Sequence, residues 1–200
     1  MMSDNNLVEQ LIQALQVMPG IGQKSAQRIA FYLLQRNRDG ARYLGQTLLQ
    51  AMDKINNCKR CRNLTEAEIC HVCASARRDQ SILCVVESPI DVMALEQATD
   101  FNGLFFVLMG HLSPLDGIGP EDVGMDLLAE RFKSEAIKEV ILATNPTVEG
   151  EATAFYITDL AREYDIPCSR IAHGVPLGGE LEYIDKGTIA HAFSGRQRVG

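Results

Sequence analysis

Four of the chain's six cysteines, Cys58, Cys61, Cys70 and Cys73, form two CxxC pairs, CKRC and CHVC, separated by eight residues. Thiolates at this spacing converge tetrahedrally on one Zn²⁺. Four protein ligands leave no open coordination position, so the expected metal is structural. His71, inside the second pair, is a rival fourth ligand. A disulfide framework would be the other use of these cysteines, but the chain opens with no basic stretch followed by an apolar run, which argues for a reducing compartment. Cys84 and Cys168 lie in apolar runs and read as small core residues. Lys59, Arg60 and Arg62 crowd the first pair, placed to lower thiolate pKa, to face a polyanion, or both.

A second set of chemistry-bearing residues is acidic. Glu87 follows the apolar run ILCVV, Asp91 comes four residues later, and Glu149 and Glu151 follow EVILA within ATNPTVEGE. Acids at strand ends of an open α/β sheet serve as general bases or Mg²⁺ ligands, although a lone one is equally at home as a helix cap. Asn145 and Thr147 occupy the alternating positions where further carboxylates would complete a dense cation site. An amide and a hydroxyl there withhold charge that a hard divalent ion needs. The residues therefore describe the shell of a metal site rather than a working one, and the five tyrosines offer no obvious nucleophile context.

The third motif is VMPGIGQKSAQRIA. Gly20 and Gly22 in the turn are read as supplying backbone angles that other residues resist, and the turn directs amide groups at the start of the following helix, where an anion is favoured. Lys24 and Arg28, four apart, share a face of that helix and flank the same backbone phosphates, a sequence-nonspecific mode of DNA binding. A solvated αα-hairpin is the plainer alternative. The likeness of GIGQKS to a P-loop fails: Gln23 stands where the second glycine belongs, and a helix precedes the turn instead of a strand.

The elements that position these groups follow from periodicity. Leu7, Val8, Leu11, Ile12 and Leu15 recur at helical spacing up to Val17. QKSAQRIAFYLLQR carries Ala26, Ile29, Ala30 and Leu33 on one face, and a third helix from about Ala41 to Ile55 directs Leu44, Leu48 and Ile55 inward. After Ser81, the runs SILCVVE, GLFFVLMG, EVILATN and CSRIAH alternate with helical stretches such as PIDVMALEQA and GMDLLAERFKSE. That alternation implies an α/β fold with a mostly parallel sheet flanked by helices, preceded by a small all-α domain and a zinc finger. HLSPLDGIGPEDVG is the longest irregular piece.

Charge divides along the same line. Net charge is −7, yet residues 19–78 hold eleven Lys or Arg against four acids, while residues 79–200 hold eight against twenty. The cationic front suits a polyanion and the acidic remainder suits protein partners. With 46% apolar residues, one or two ordinary cores can form, and no stretch is apolar enough for a membrane span, so a cytoplasmic protein is expected.

The succession PGIGQKSAQRIA, CKRC with ICHVC, CVVESPIDVMALE, LATNPTVEGEATA and GVPLGGELEYIDKGTIAHAFSGR resembles the RecR family of bacterial recombination mediators over essentially the whole chain. The resemblance implies a helix-hairpin-helix domain (1–55), a four-cysteine zinc finger holding one structural Zn²⁺ (56–78), a Toprim domain (79–176) and a segment likened to a Walker B motif (177–200). Matched to the Toprim pattern, Glu87 is its first Glu, Asn145 and Thr147 stand for its two Asp, and Glu149 and Glu151 are its last acids. With Asp91 they form an acidic remnant suited to partner contact. The family implies a non-enzymatic DNA-binding factor of recombinational repair that promotes recombinase loading on gapped or single-stranded DNA with RecO and RecF. It also implies a homo-oligomer, a ring tetramer, located at the nucleoid. No Walker A partner accompanies the last segment, whose Leu181, Ile184, Ile189 and Phe193 suit packing against a neighbouring subunit. Two other classes compete: a Mg²⁺-dependent Toprim nuclease or topoisomerase using Glu87, Glu149 and Glu151, and a zinc-dependent redox or chaperone module.

Overall fold

The computed structural model describes residues 6–172, 174–176, 178 and 180–196; positions 1–5 of the first expected segment, 173 in the CSRIAH run, and 177, 179 and 197–200 of the last expected segment lie outside the described residues. The chain divides into two compact units, 1–55 and 56–200. Among the described residues, no helix is long and apolar enough to cross a membrane.

The first unit is helical: α1 (Leu7–Leu15), α2 (Gln23–Arg36) and α3 (Arg38–Lys54). The Asn6 side chain accepts from the Val8 amide to start α1, and the α2 span matches the apolar periodicity of QKSAQRIAFYLLQR. Ala26 and Ala30, both fully buried, lie on one face of α2, and their small side chains allow close packing with Leu11, Ile12 and Leu15 of α1. Helix α3 begins earlier than its periodicity suggests because the Asn37 side chain accepts from the Gly40 amide, 3.0 Å away.

One expectation fails here. Leu44, Leu48 and Ile55 do not point into a core; all three are exposed, and α3 buries no residue. Two helices suffice to close the small alanine-lined core, so the apolar face of α3 is left lining a groove of about 570 Å³ with Leu11, Val17 and Leu33.

The second unit opens with β1 (Asn56–Asn57), β2 (Leu64–Thr65) and the short α4 (His71–Ala74). There follow β3 (Ile82–Val86), α5 (Pro89–Ala98), β4 (Leu104–Val107), α6 (Met125–Ser134), β5 (Glu139–Ala143), α7 (Val148–Arg162) and β6 (Cys168–Arg170). A short 3₁₀ turn, Leu181–Tyr183, and α8 (Lys186–Ser194) complete it. β1 and β2 form an antiparallel pair, and β4-β3-β5-β6 form a sheet whose neighbours are all parallel. Val86 aligns with Val107 on one side and Ala143 on the other, bringing the strands' C-terminal ends to a common rim.

Alternation along the strands builds two cores. Leu83, Val85, Leu104, Phe106, Val140 and Leu142 pack under α6 and α7. Cys84, Val86, Phe105 and Val107 pack on the opposite face with Val92 of α5 and all four clustered cysteines. The zinc knuckle is thus part of the layer covering the sheet. It also caps the outer strand, since the Val107 amide donates to the Cys61 carbonyl at 2.9 Å. Cys84 is buried and Cys168 partly so, the core positions their apolar runs suggest.

Candidate functional site

The sulfurs of Cys58, Cys61, Cys70 and Cys73 lie within 4.8 Å of one another, and all four residues are buried. Four converging soft donors fit one Zn²⁺ held structurally. His71 opens α4 on the exposed side and is not among them. Burial pushes the Cys58 thiol up, but the backbone amides of Cys70, Cys61 and Arg60 outweigh it and bring the group down to about 7. The Cys70 thiol is pushed up to about 11 by burial. Cys61 is raised further, by its contact with Cys73 and then by burial. A bound cation overcomes these rises by favouring the thiolates directly. Among the described residues, this is the only cluster of cysteine, histidine and carboxylate donors close enough to hold a metal.

The basic residues around the knuckle serve the fold. Lys59 pairs with Glu68. Arg60 forms a two-pronged bond to Glu135, at 2.9 and 3.2 Å, and donates to Gln80 at 2.6 Å. Arg62 donates to the carbonyls of Leu108 and Val123 with its charge over the Phe106 ring. Arg60 and Arg62 point into their own unit and not toward a polyanion.

In the hairpin, Met18, Pro19, Gly20 and Ile21 form a tight turn closed by Ile21 N–H donating to the Met18 carbonyl at 3.1 Å. Gly20 takes φ +79°, which, following Pro19, fits a type II turn. Gly22 differs from its expected role: its φ is −82°, open to any residue. Its contribution is the side chain it lacks, because it caps α2 without a hydrogen bond and leaves the first amides of the helix uncovered. Lys24 and Arg28 follow, both exposed, one turn apart.

At the sheet rim Glu87 and Glu151 are already engaged. Glu87 is 5% exposed; its Oε1 accepts from the Asn145 amide at 2.8 Å and its Oε2 from Asn145 Nδ2 at 2.6 Å, with His111 Nδ1 at 3.5 Å. Thr147 caps α7, accepting from the Gly150 amide at 3.0 Å. Glu151 forms an ion pair with Arg170 at 2.8 Å. Asp91 has a local use: it completes a capping box with Ser88 at the start of α5, accepting from the Ser88 amide and hydroxyl. Glu87, Glu149 and Glu151 do not converge within cation-binding distance.

Several positions were not singled out by sequence. Gly150 is required by close approach, since a Cβ there would strike the Asn145 carbonyl and come 2.9 Å from Glu87 Oε1; the glycine between two glutamates was its signal. Arg170 was signalled only as a charge at a strand end. His111 gave no signal beyond lying in a long loop.

A helical hairpin, a four-cysteine knuckle and a parallel sheet with a depleted acidic rim define a Toprim protein assembled with DNA-repair modules. The family models bear this out segment by segment: the RecR helix-hairpin-helix matches residues 8–52, the RecR four-cysteine zinc finger domain 55–75, the Toprim domain 81–172 and the RecR C-terminal segment 174–197. Recombination protein RecR of Xanthomonas oryzae pv. oryzae (strain MAFF 311018) is 56% identical over 195 residues, 98% of this chain and 99% of the relative. Recombination protein RecR of Saccharophagus degradans is 54% identical over 193 residues, covering 96% and 98%. The chain belongs to the RecR family of recombination proteins.

Proposed function

We propose that this chain is a DNA-binding recombination mediator that performs no phosphodiester chemistry of its own and acts with RecO and RecF to load a recombinase on gapped or single-stranded DNA. The observation that carries the reading is the rim: a Mg²⁺ site needs carboxylates free to share an ion, whereas Glu87 is held by two donors from Asn145 and Glu151 by Arg170. DNA affinity is assigned to the hairpin, where Gly20 and Gly22 present the uncovered start of α2 and Lys24 and Arg28 take backbone phosphates. The acidic remnant, Glu149 foremost, is assigned to partner contact. Assembly into a ring tetramer is supported by the apolar groove over α3 and by exposed Leu181 and Phe193, surfaces costly to leave in water. Its place is the cytoplasm, at the nucleoid.

The test pairs two measurements. Lys24→Ala with Arg28→Ala should weaken binding to unrelated duplexes equally and lower the slope of log affinity against log salt by about 1.8, two phosphates at roughly 0.9 each. Supercoiled DNA with Mg²⁺ or Mn²⁺ should remain intact. An unchanged slope would remove the hairpin from the interface, and metal-dependent cleavage abolished by Glu87→Ala would establish the Toprim nuclease or topoisomerase instead.

A further inference from the structure

The stretch CKRCR reaches both ends of α6. Glu135, which closes that helix, is held by Arg60 at 2.9 Å and by Arg131 at 2.8 Å. At the other end, Arg62 Nη1 donates to the carbonyl of Val123, the residue before the α6 cap Gly124, and at 3.0 Å to the carbonyl of Leu108. Leu108 and Val123 are the two residues flanking segment 109–122. One guanidinium therefore ties the base of the longest loop in the unit.

Geometry on both sides is committed to this contact. Arg62 takes a left-handed φ of 65°, unfavourable for a residue with a Cβ. Gly124 takes φ 73°, and a Cβ on it would land on the Arg62 guanidinium. What holds Arg62 in that conformation is the knuckle: its amide donates to the Cys58 carbonyl at 2.8 Å and its carbonyl accepts from Asn57 Nδ2 at 2.7 Å, with Cys61 adjacent in the chain. Segment 109–122 has further ties: a Ser113–Ile118 bridge, the Gly110 amide donating to the Glu87 carbonyl at 3.0 Å, the Leu112 amide donating to Thr153 Oγ1 at 2.9 Å, and Leu112 and Ile118 against the core. At its base, among the hydrogen bonds of the described residues, only the Arg62 guanidinium joins Leu108 to Val123. It walls a cavity of about 530 Å³ with Asp126 of α6 and Tyr156 of α7.

We propose that Arg62 is a positioning residue through which zinc binding closes the base of segment 109–122 and seats the start of α6. The zinc fixes the CKRC turn, the turn fixes the left-handed Arg62 backbone, and the guanidinium draws Leu108 and Val123 together. Zinc loading therefore shapes one wall of the cavity beside α7, a surface without a zinc ligand.

Amide hydrogen exchange on the full chain tests this. Arg62→Ala should keep one zinc per chain while amides in 109–122 exchange at least tenfold faster and those of β5 remain as before. Stripping zinc from the unaltered chain should produce the same local acceleration, and stripping it from Arg62→Ala should add nothing in that segment. Should Arg62→Ala fail to fold, Gly124→Ala, which keeps Arg62 and every zinc ligand but displaces the guanidinium, is read the same way. The proposal is overturned by unchanged exchange in 109–122 in the variant, by equal further acceleration on stripping it, or by acceleration on stripping that spreads uniformly into β5.

Discussion

Replacing Asn145 by Asp restores one of the carboxylates that the acidic rim lacks, and the structure fixes what this should cost. Asn145 Nδ2 lies 2.6 Å from Glu87 Oε2, so the variant sets a carboxylate on an exposed residue in contact with the buried carboxylate of Glu87, which is 5% exposed. At about 3 Å and an effective dielectric constant of about 20, two full charges repel by roughly 5 kcal/mol. Taking up one proton relieves this and restores a donor to Glu87. At pH 7 that costs about 4 kcal/mol, the distance from an ordinary aspartate pKa near 3.9 at about 1.4 kcal/mol per unit. The cheaper route sets the penalty, so Asn145→Asp should lose about 4 kcal/mol at pH 7. The sign follows from the pair's raised upper pKa: the folded form binds the extra proton, so its stability is intact below pH about 4 and is lost as pH rises through the raised value. Urea denaturation at pH 5 should therefore show a deficit of only about 1.5 kcal/mol. A deficit equal at both pH values, or none at all, would refute the argument. Full recovery by millimolar Mg²⁺ at pH 7 would sink the depleted-site reading instead.

Three further outcomes are expected. Glu135 sits below the usual carboxylate range, because its bonds to Arg60 and Arg131 outweigh the upward push of burial; the chain should lose stability as pH falls below about 4.3 through that depressed value, and Glu135→Gln should flatten this acid limb in a pH series of denaturant midpoints. Chelation should release one zinc per chain, read by a colorimetric zinc indicator, and deprotect residues 58–73 and the Val107 amide in hydrogen exchange. Leu44→Glu with Leu48→Glu should lower the solution mass measured by light scattering while shifting monomer stability by no more than about 0.5 kcal/mol, since both side chains are exposed.

Local patterns announced most of this architecture. The four strands of the parallel sheet were legible as β-rich apolar runs, unlike the two-residue β1 and β2, α2 was legible as an apolar face over QKSAQRIAFYLLQR, and the zinc site as two CxxC pairs, because each signal is complete within a few residues. Ser88 and Asp91 stood at capping-box spacing, so Asp91 had a local use that outweighed its place near the acids. What stayed hidden was relational. The periodicity of α3 marks an apolar face but says nothing of what covers it. Arg60 finds Glu135 across 75 residues of chain, and Asn145 finds Glu87 across 58, so neither direction can be read from neighbours in sequence. Asn145 was legible as a charge withheld; only the fold makes it the donor that satisfies both oxygens of Glu87.

The bond from the Val107 amide to the Cys61 carbonyl has a practical consequence for handling this protein. A chain trimmed to begin at Ser81 would bare the flank of β4 together with the buried rings and methyls of Phe105 and Val107, offering an unprotected template for strand addition. Such a fragment should precipitate where the longer chain stays dispersed.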